Sequence, residues 1–149
     1  SFKPVQAYRK LLLATDFSLY SERAAQRAIE IARQYRAHID VLHIVEETQF
    51  YSEWNDPVIA DRALRDEALK QRAEGSMRKF AERAGLAADV ALEVQWGNPK
   101  WSIISWAREK KVDLIVVGSH GHHGFERLLG SVSRSVLHQA PCDVLVVRS

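Results

Sequence analysis

The chain has 149 residues, 46% of them hydrophobic and 27% charged, and a formal net charge of +2 at pH 7. These values are typical of a globular domain with a sizeable core, and the small net charge does not favour a nucleic-acid partner. One cysteine excludes an internal disulfide and a zinc site built on several cysteines, and it suits a reducing compartment. No apolar run approaches the roughly 18 residues of a membrane span, and no signal peptide opens the chain. We therefore expect a single domain over residues 1–149, in the cytoplasm and without a membrane partner.

The first part of the chain predicts two strands joined by a helix. Residues 10–15 form a short apolar run that predicts a buried strand, and Ser18 or Ser21 can cap the helix that follows. That helix is expected to run to about Tyr35, because alanine and isoleucine recur in it at helical spacing. Residues 39–45 then predict the second strand.

A loop and a long helix are expected before the third strand. Residues 46–56 are polar and aromatic and are interpreted as a loop, and residues 58–84 predict a long helical stretch. Gly85 is suited to end that helix, since glycine readily adopts the left-handed conformation found just after helices. Residues 90–94 predict the third strand.

The last part of the chain predicts two more strands and two more helices. Asn98 is expected to cap a helix over residues 100–110, with Pro99 at its first position. Residues 114–117 are apolar and bounded by turn residues, as in a fully buried parallel strand. Residues 144–147 predict the fifth strand, after the final helix.

The stretch between the fourth strand and the final helix indicates a phosphate site. Gly118, Gly121 and Gly124 follow the strand, and Gly130 and Ser131 open the helix. Missing Cβ atoms let backbone N–H groups approach an anion, and the helix N-terminus adds free donors and a partial positive charge. A plain turn is the alternative for such a loop taken alone.

Five strands that alternate with four helical segments predict an α/β fold, an open five-stranded parallel sheet with helices on both faces. In such Rossmann-like sheets, ligands bind beyond the carboxyl ends of the strands, where the strand order reverses. The first strand ends at Asp16 and the fourth at Gly118. If these strands are neighbours, Asp16 faces the glycine loop across one crevice.

Four motifs together resemble the universal stress protein family: ATDFS at residues 14–18, GSHG at 118–121, GS at 130–131 and APCDVLVVR at 140–148. The resemblance covers essentially the whole chain. It implies a five-stranded parallel α/β sheet, usually assembled as a homodimer. The nucleotide-binding branch of the family holds ATP with a pattern of Gly, two residues, Gly, nine residues, Gly, then Ser or Thr. Here eight residues separate Gly121 from Gly130, so the loop is one residue shorter.

The resemblance also implies which residues contact the nucleotide. The family's phosphate contacts fall on Gly118, His120, Gly121, Gly130, Ser131, Val132 and Ser133. Its adenine and ribose contacts fall on Ala14, Thr15, Asp16, Ile44 and Val117. The residue types agree in part, because Asp16 can accept from a ribose hydroxyl or the adenine amino group and Ile44 can form an apolar wall. The alternative for Asp16 is a cap or turn residue.

A metal site and a reactive thiol are weaker interpretations. The histidines at positions 120, 122, 123 and 138 suggest a metal, but neighbouring loop histidines cannot all converge on one ion as a catalytic zinc requires. We expect instead Mg²⁺ bound to a triphosphate, because Mg²⁺ prefers phosphate oxygens and water. Cys142 is interpreted as structural.

Three functions remain open. The first is a stress protein that binds an adenine nucleotide, ATP, and acts in stress response or signalling. The second is a slow ATP hydrolase on the same site, for which His120 and Asp16 are the candidates to position water, although no P-loop or catalytic triad is evident. The third is a dimeric stress protein without nucleotide, because the loop is shortened.

The fifth strand also suggests how the chain assembles. Residues 144–147 are apolar and contain no proline, and an uncovered edge strand invites pairing with another chain. We therefore expect a homodimer through this C-terminal strand, in agreement with the family resemblance. The alternative is an edge covered by residues 2–8.

Overall fold

The computed structural model describes residues 4–46, 62–119 and 130–148. The elements in these ranges are, in chain order, β1 (Lys10–Ala14), α1 (Leu19–Tyr35), β2 (His38–Val45), α2 (Arg62–Ala84), β3 (Ala91–Trp96), α3 (Pro99–Glu109), β4 (Leu114–Gly118), α4 (Ser131–Gln139) and β5 (Asp143–Val147). The strands form one parallel sheet in the order β3-β2-β1-β4-β5. This confirms the predicted five-stranded parallel α/β sheet.

Alternate residues of the central strand β1 pack against different pairs of helices. Leu11 and Leu13 belong to a buried cluster that includes residues of α1 and α2, among them Phe80. Leu12 and Ala14 belong to a second cluster, which includes residues of α3 and α4. Because helices cover both faces, β1 and β4 are apolar along their buried length instead of alternating between apolar and polar residues.

The two helix starts predicted from capping residues are confirmed. Ser18 is the N-cap of α1, and its hydroxyl oxygen accepts a hydrogen bond from the backbone N–H of Ser21 at 3.3 Å. Asn98 is the N-cap of α3, and its side-chain oxygen accepts from the backbone N–H of Trp101 at 3.3 Å. Pro99 occupies the first position of α3, where its missing N–H leaves no hydrogen bond unmade.

Helix α2 has 23 residues and ends before Gly85, which has a φ of +77°, as predicted. The predicted loop at residues 46–56 lies outside the described residues except for Glu46, as do the first residues of the predicted helix, 58–61. No helix within the described ranges has the length and apolarity needed to cross a bilayer.

Strand boundaries differ from the predictions by one or two residues. Strand β3 continues to Trp96 because its register with β2 pairs that residue with Val45. Strand β1 ends at Ala14 because the Thr15 hydroxyl oxygen accepts from the backbone N–H of Phe17 at 2.9 Å, which turns the chain away from the sheet.

The sheet order places a crevice at the carboxyl end of β1. From β1 the chain proceeds outward through β2 to β3, and after α3 it returns to β4 on the other side of β1. The pairing of Leu11 with Leu114 and of Leu13 with Val116 confirms that the first and fourth strands are neighbours. Their carboxyl ends therefore meet where ligands bind in sheets of this kind.

Candidate functional site

The turn after β1 is organised by the carboxylate of Asp16. Its Oδ1 atom accepts from the backbone N–H of Ser18 at 3.0 Å and from the hydroxyl of Ser21 at 2.7 Å. The Asp16 N–H donates in turn to the Ser21 hydroxyl oxygen at 3.2 Å. In the part of the chain that the structure describes, both hydrogen bonds to the Asp16 carboxylate reach Oδ1. Asp16 is thus the turn residue considered as an alternative, and its Oδ2 is still available to a ligand.

Phe17 holds this turn in an unusual backbone conformation. Its φ of +68° lies in the left-handed region, which a bulky L-residue rarely adopts. The ring stacks on the imidazole of His43, with the ring centroids 4.0 Å apart and the planes at 29°. It also lies 5.9 Å from the ring of Phe80 in α2. The turn is therefore fixed by aromatic packing as well as by hydrogen bonds.

His43 was not among the residues that the sequence singled out. The side chain is 9% exposed, and its Nδ1 lies 2.8 Å from the carbonyl oxygen of Thr15. Because a carbonyl oxygen can only accept, Nδ1 carries the hydrogen and donates it. Burial lowers the pKa of His43 below its usual 6.5, against smaller opposing effects of the Thr15 carbonyl and Asp16. The imidazole is therefore neutral at physiological pH.

The three apolar residues implied as adenine contacts lie on one face of the sheet. Ala14 ends β1, Ile44 is the penultimate residue of β2, and Val117 is the penultimate residue of β4. All three are buried and belong to the cluster with α3 and α4. The structure thus brings these residues from three strand ends together on one face of the sheet.

The backbone of Ile44 faces the same crevice. At the start of β2, the backbone N–H of His38 donates to the carbonyl oxygen of Arg9 at 2.9 Å. Further along β2, the carbonyl oxygen of Leu42 accepts from the backbone N–H of Thr15 at 3.0 Å. These two bonds bracket the β1–β2 ladder, in which every second residue of β2 turns its N–H and C=O toward β1. Ile44 continues this series past the end of β1. Its N–H and C=O therefore point side by side to the position, two residues past Ala14, that β1 would have occupied had it continued.

The N-terminus of α4 is docked on the end of β4. The Ser133 hydroxyl donates to the Gly118 carbonyl oxygen at 2.7 Å, and the Gly130 N–H donates to the Ser119 carbonyl oxygen at 2.8 Å. The hydroxyl hydrogen of Ser133, expected to be available to phosphate, is thus taken by the backbone. Gly130 has a φ of −61°, so it does not serve there as a left-handed residue. The exposed Ser131 and the first-turn N–H groups are the remaining donors.

Gly118 serves packing at this point. A Cβ atom on it would lie 3.0 Å from the carbonyl oxygen of Tyr20 and 3.1 Å from its carbonyl carbon. The first turn of α1 therefore lies close against the backbone at the end of β4, and a larger residue there would require the Tyr20 backbone to shift by a few tenths of an ångström. This requirement was not recognisable from the sequence, where Gly118 was interpreted only as a phosphate contact.

The predicted phosphate contacts not yet described are His120, Gly121 and Val132. His120 and Gly121 lie outside the described residues, together with His122 and His123. Val132 is partly buried against the cluster with α3 and α4. Within the described ranges, no group of three or more His, Cys, Asp or Glu side chains is placed to hold a metal ion.

Cys142 has the environment of a structural thiol. It is half-buried, and burial together with Asp143 and Asp113 raises its pKa to about 11. The thiol is therefore protonated near neutral pH, and a protonated thiol is a poor nucleophile.

The sequence and fold match known proteins along nearly their whole length. The model of the universal stress protein family matches residues 7–148. Universal stress protein A homolog 1 of Coxiella burnetii is 36% identical over 145 residues, which cover 94% of this chain and 96% of the relative. Universal stress protein UspA from Lactobacillus plantarum is 26% identical, with a TM-score of 0.76 over 97% of this chain and all of the other. A universal stress protein solved in complex with cAMP is 27% identical, with a TM-score of 0.67 over 96% of this chain and 98% of the other. The chain therefore belongs to the universal stress protein family.

Proposed function

We propose that the chain acts as a single cytoplasmic domain that binds an adenine nucleotide, ATP, and serves in stress response or signalling. The observation that carries this proposal is the convergence of three strand ends and one helix start on one crevice. Asp16 follows β1, Ile44 lies near the end of β2, Gly118 ends β4, and Ser131 begins α4. Each supplies a group that suits a different part of a nucleotide.

The adenine end of the proposed site is formed by β2. The Ile44 N–H and C=O present one donor and one acceptor side by side, and adenine presents one acceptor, N1, beside one donor, the 6-amino group. Ala14, Ile44 and Val117 supply apolar side chains on the same face of the sheet. The unengaged Oδ2 of Asp16 would accept from a ribose hydroxyl. Small-molecule sites commonly combine apolar walls with a few placed polar groups in this way.

The phosphate end of the proposed site is formed by α4. The backbone N–H groups of Ser131, Val132 and Ser133 occupy the first turn of the helix, where they have no partner within the helix itself. Such a turn attracts anions through its free donors and its partial positive charge. Mg²⁺ would be held chiefly by the phosphate oxygens and water, since it seldom needs more than one or two protein ligands beside phosphates.

The relative solved with cAMP supports adenine recognition in particular. At 27% identity over 96% of this chain, it shares both fold and family, and its ligand is an adenine nucleotide with a single cyclic phosphate. Together with the Ile44 peptide groups, it favours a nucleotide-binding function over the stress protein without nucleotide.

A comparison of ATP with GTP tests the proposal. Guanine presents a donor at N1 and an acceptor at O6, the reverse of adenine, so it mismatches the Ile44 groups. We expect saturating ATP, at a hundred times its Kd, to stabilise the protein by about 2.7 kcal/mol. At this chain length the corresponding rise in Tm is roughly 5 to 10 °C. GTP at the same concentration should produce little change, and native mass spectrometry should detect a co-purified adenine nucleotide.

Two results would count against the proposal. No change in Tm with millimolar Mg-ATP, together with no co-purified nucleotide, would favour the stress protein without nucleotide. Equal stabilisation by ATP and GTP would place recognition on the phosphates alone and remove the role of Ile44.

We further propose that the domain forms a homodimer through β5. This strand is at the edge of the sheet, and its residues Val144 to Val147 are only partly buried. In the segment considered as a cover, residues 4–7 are exposed, with Val5 91% exposed, and Tyr8 donates a hydrogen bond to the Asp143 side chain at the first position of the strand. Pairing of β5 with its copy about a two-fold axis would satisfy both edges and close the assembly. Sedimentation at micromolar concentration should give a dimer, and hydrogen exchange should show protected amides in β5. A monomer would exclude this assembly.

A further inference from the structure

The ladder of backbone hydrogen bonds between β1 and β2 lacks the last bond that its geometry predicts. In a parallel ladder, the N–H of a residue donates to one residue of the neighbouring strand. The C=O of the same residue accepts from the residue two positions further along that neighbouring strand. Thr15 makes the first of these bonds, to the Leu42 carbonyl oxygen at 3.0 Å. The second would join the Ile44 N–H to the Thr15 carbonyl. This bond is absent from the backbone hydrogen bonds of the described residues.

The Thr15 carbonyl accepts instead from the side chain of His43. The Nδ1–H donates to it at 2.8 Å. The side chain of His43 lies on the face covered by α1 and α2, where Phe17 stacks on it and Phe80 packs on Phe17. The hydrogen bond therefore directs the Thr15 carbonyl toward that face and away from the ladder. Burial of the ring keeps this arrangement free of competition from water.

We propose that His43 is a positioning residue that ends the β1–β2 ladder early and so keeps the Ile44 N–H available to the base of a nucleotide. The proposal rests on the proposed nucleotide site. The aromatic contact with Phe17 holds the imidazole in place, and the Nδ1–H holds the Thr15 carbonyl. Without that donor, the carbonyl is free to accept from the Ile44 N–H, which would lengthen the sheet by one bond and consume the donor that faces adenine.

Amide hydrogen exchange in the nucleotide-free protein tests the ladder directly. We compare the wild type with His43→Leu, which removes the donor, and His43→Asn, whose side-chain amide nitrogen replaces Nδ1. We expect the Ile44 amide to exchange at least about tenfold more slowly in His43→Leu, because a new hydrogen bond protects it. In His43→Asn it should exchange as in the wild type. The Leu42 amide, inside the ladder in all three proteins, is the internal reference. Equal Ile44 exchange in the wild type and His43→Leu, when both are folded, would overturn the proposal.

Nucleotide affinity gives the second readout. We expect ATP to bind His43→Leu about tenfold more weakly, the effect of one lost hydrogen bond, and to bind His43→Asn within about threefold of the wild type. Should the wild type bind ATP and both variants bind it equally well, this inference fails while the proposed function stands. Should the wild type bind no ATP, the proposed function fails, and the exchange of the Ile44 amide still decides whether His43 ends the ladder. If His43→Leu does not fold, the wild type alone decides. An Ile44 amide that exchanges as slowly as the Leu42 amide in the wild type would overturn the proposal.

Discussion

The polar groups at the amino end of the sheet pair with one another, whereas several at the carboxyl end have no partner among the described residues. At the amino end, Asp113 Oδ2 accepts from the backbone N–H groups of Arg9 at 2.8 Å and Lys10 at 2.9 Å. The Lys10 ammonium also lies 3.3 Å from Asp40 Oδ2. At the carboxyl end, Asp16 accepts hydrogen bonds through one carboxylate oxygen, Oδ1. The Ile44 N–H lies beyond the last backbone hydrogen bond between β1 and β2.

This difference indicates which end of the sheet stabilises the fold by itself and which end offers groups to the proposed ligand. The bonds of Asp113 and the Lys10–Asp40 ion pair at the amino end form in the folded protein alone, so their contribution to stability needs no ligand. The unused groups at the carboxyl end contribute to stability only when a ligand binds them. Substitutions at the two ends should therefore separate effects on unfolding from effects on nucleotide affinity.

The largest expected effect is at the amino end. Asp113→Ala leaves the N–H groups of Arg9 and Lys10 without their acceptor and should lower the free energy of unfolding by about 2 kcal/mol. Urea unfolding measures this loss, and the Kd for ATP should not change. Asp113→Asn retains an acceptor oxygen and should lose less. A change in ATP affinity in Asp113→Ala would mean that the two ends are not independent.

A smaller, pH-dependent effect is expected at the carboxyl end. Because burial lowers the pKa of His43 below 6.5, the unfolded chain binds a proton that the folded protein excludes. The contribution of neutral His43 is therefore complete above pH 6.5 and is lost as the pH falls through the folded pKa. The slope for one proton reaches at most about 1.4 kcal/mol per pH unit. Urea unfolding from pH 8 to 5 should show this loss in the wild type but not in His43→Asn, and parallel curves would contradict it.

The smallest effect is expected for Tyr8, which ties the segment before β1 to β5. Its hydroxyl donates to Asp143 Oδ2 at 2.8 Å, and this bond, with burial, raises the pKa of Tyr8 to about 12. Tyr8→Phe should lower stability by about 0.5 to 1 kcal/mol. Because the folded pKa is raised, this contribution is present below pH 10 and is lost as the pH rises toward about 12. Absorbance titration should show a late phenolate step that Tyr8→Phe lacks; identical titrations would contradict the assignment.

The fold was predictable because its signals are local. Apolar runs identified β1 and β4, and side-chain caps identified the starts of α1 and α3. That β1 and β4 are neighbours entered the sequence analysis only as a condition, and the structure meets it.

Site details that depend on contacts between distant residues could not be predicted. His43 is one of several polar residues in the sequence of β2. Its partners Thr15 and Phe17 are 28 and 26 positions away in the sequence. The left-handed backbone of Phe17 has no signature in residue type, because it depends on stacking against β2 and α2. The one available signal was the position of His43 beside Ile44, an implied adenine contact.

The backbone contact between Gly118 and Tyr20 has a mechanical consequence. With no side chain between them, the end of β4 and the first turn of α1 have no compressible layer to absorb displacement. Ser133 fastens α4 to the same Gly118 through its carbonyl oxygen. Asp16 at the head of α1 and the first turn of α4 therefore form one stiff wall. If the proposed nucleotide site forms there, we expect this wall to make it select ligands by fit.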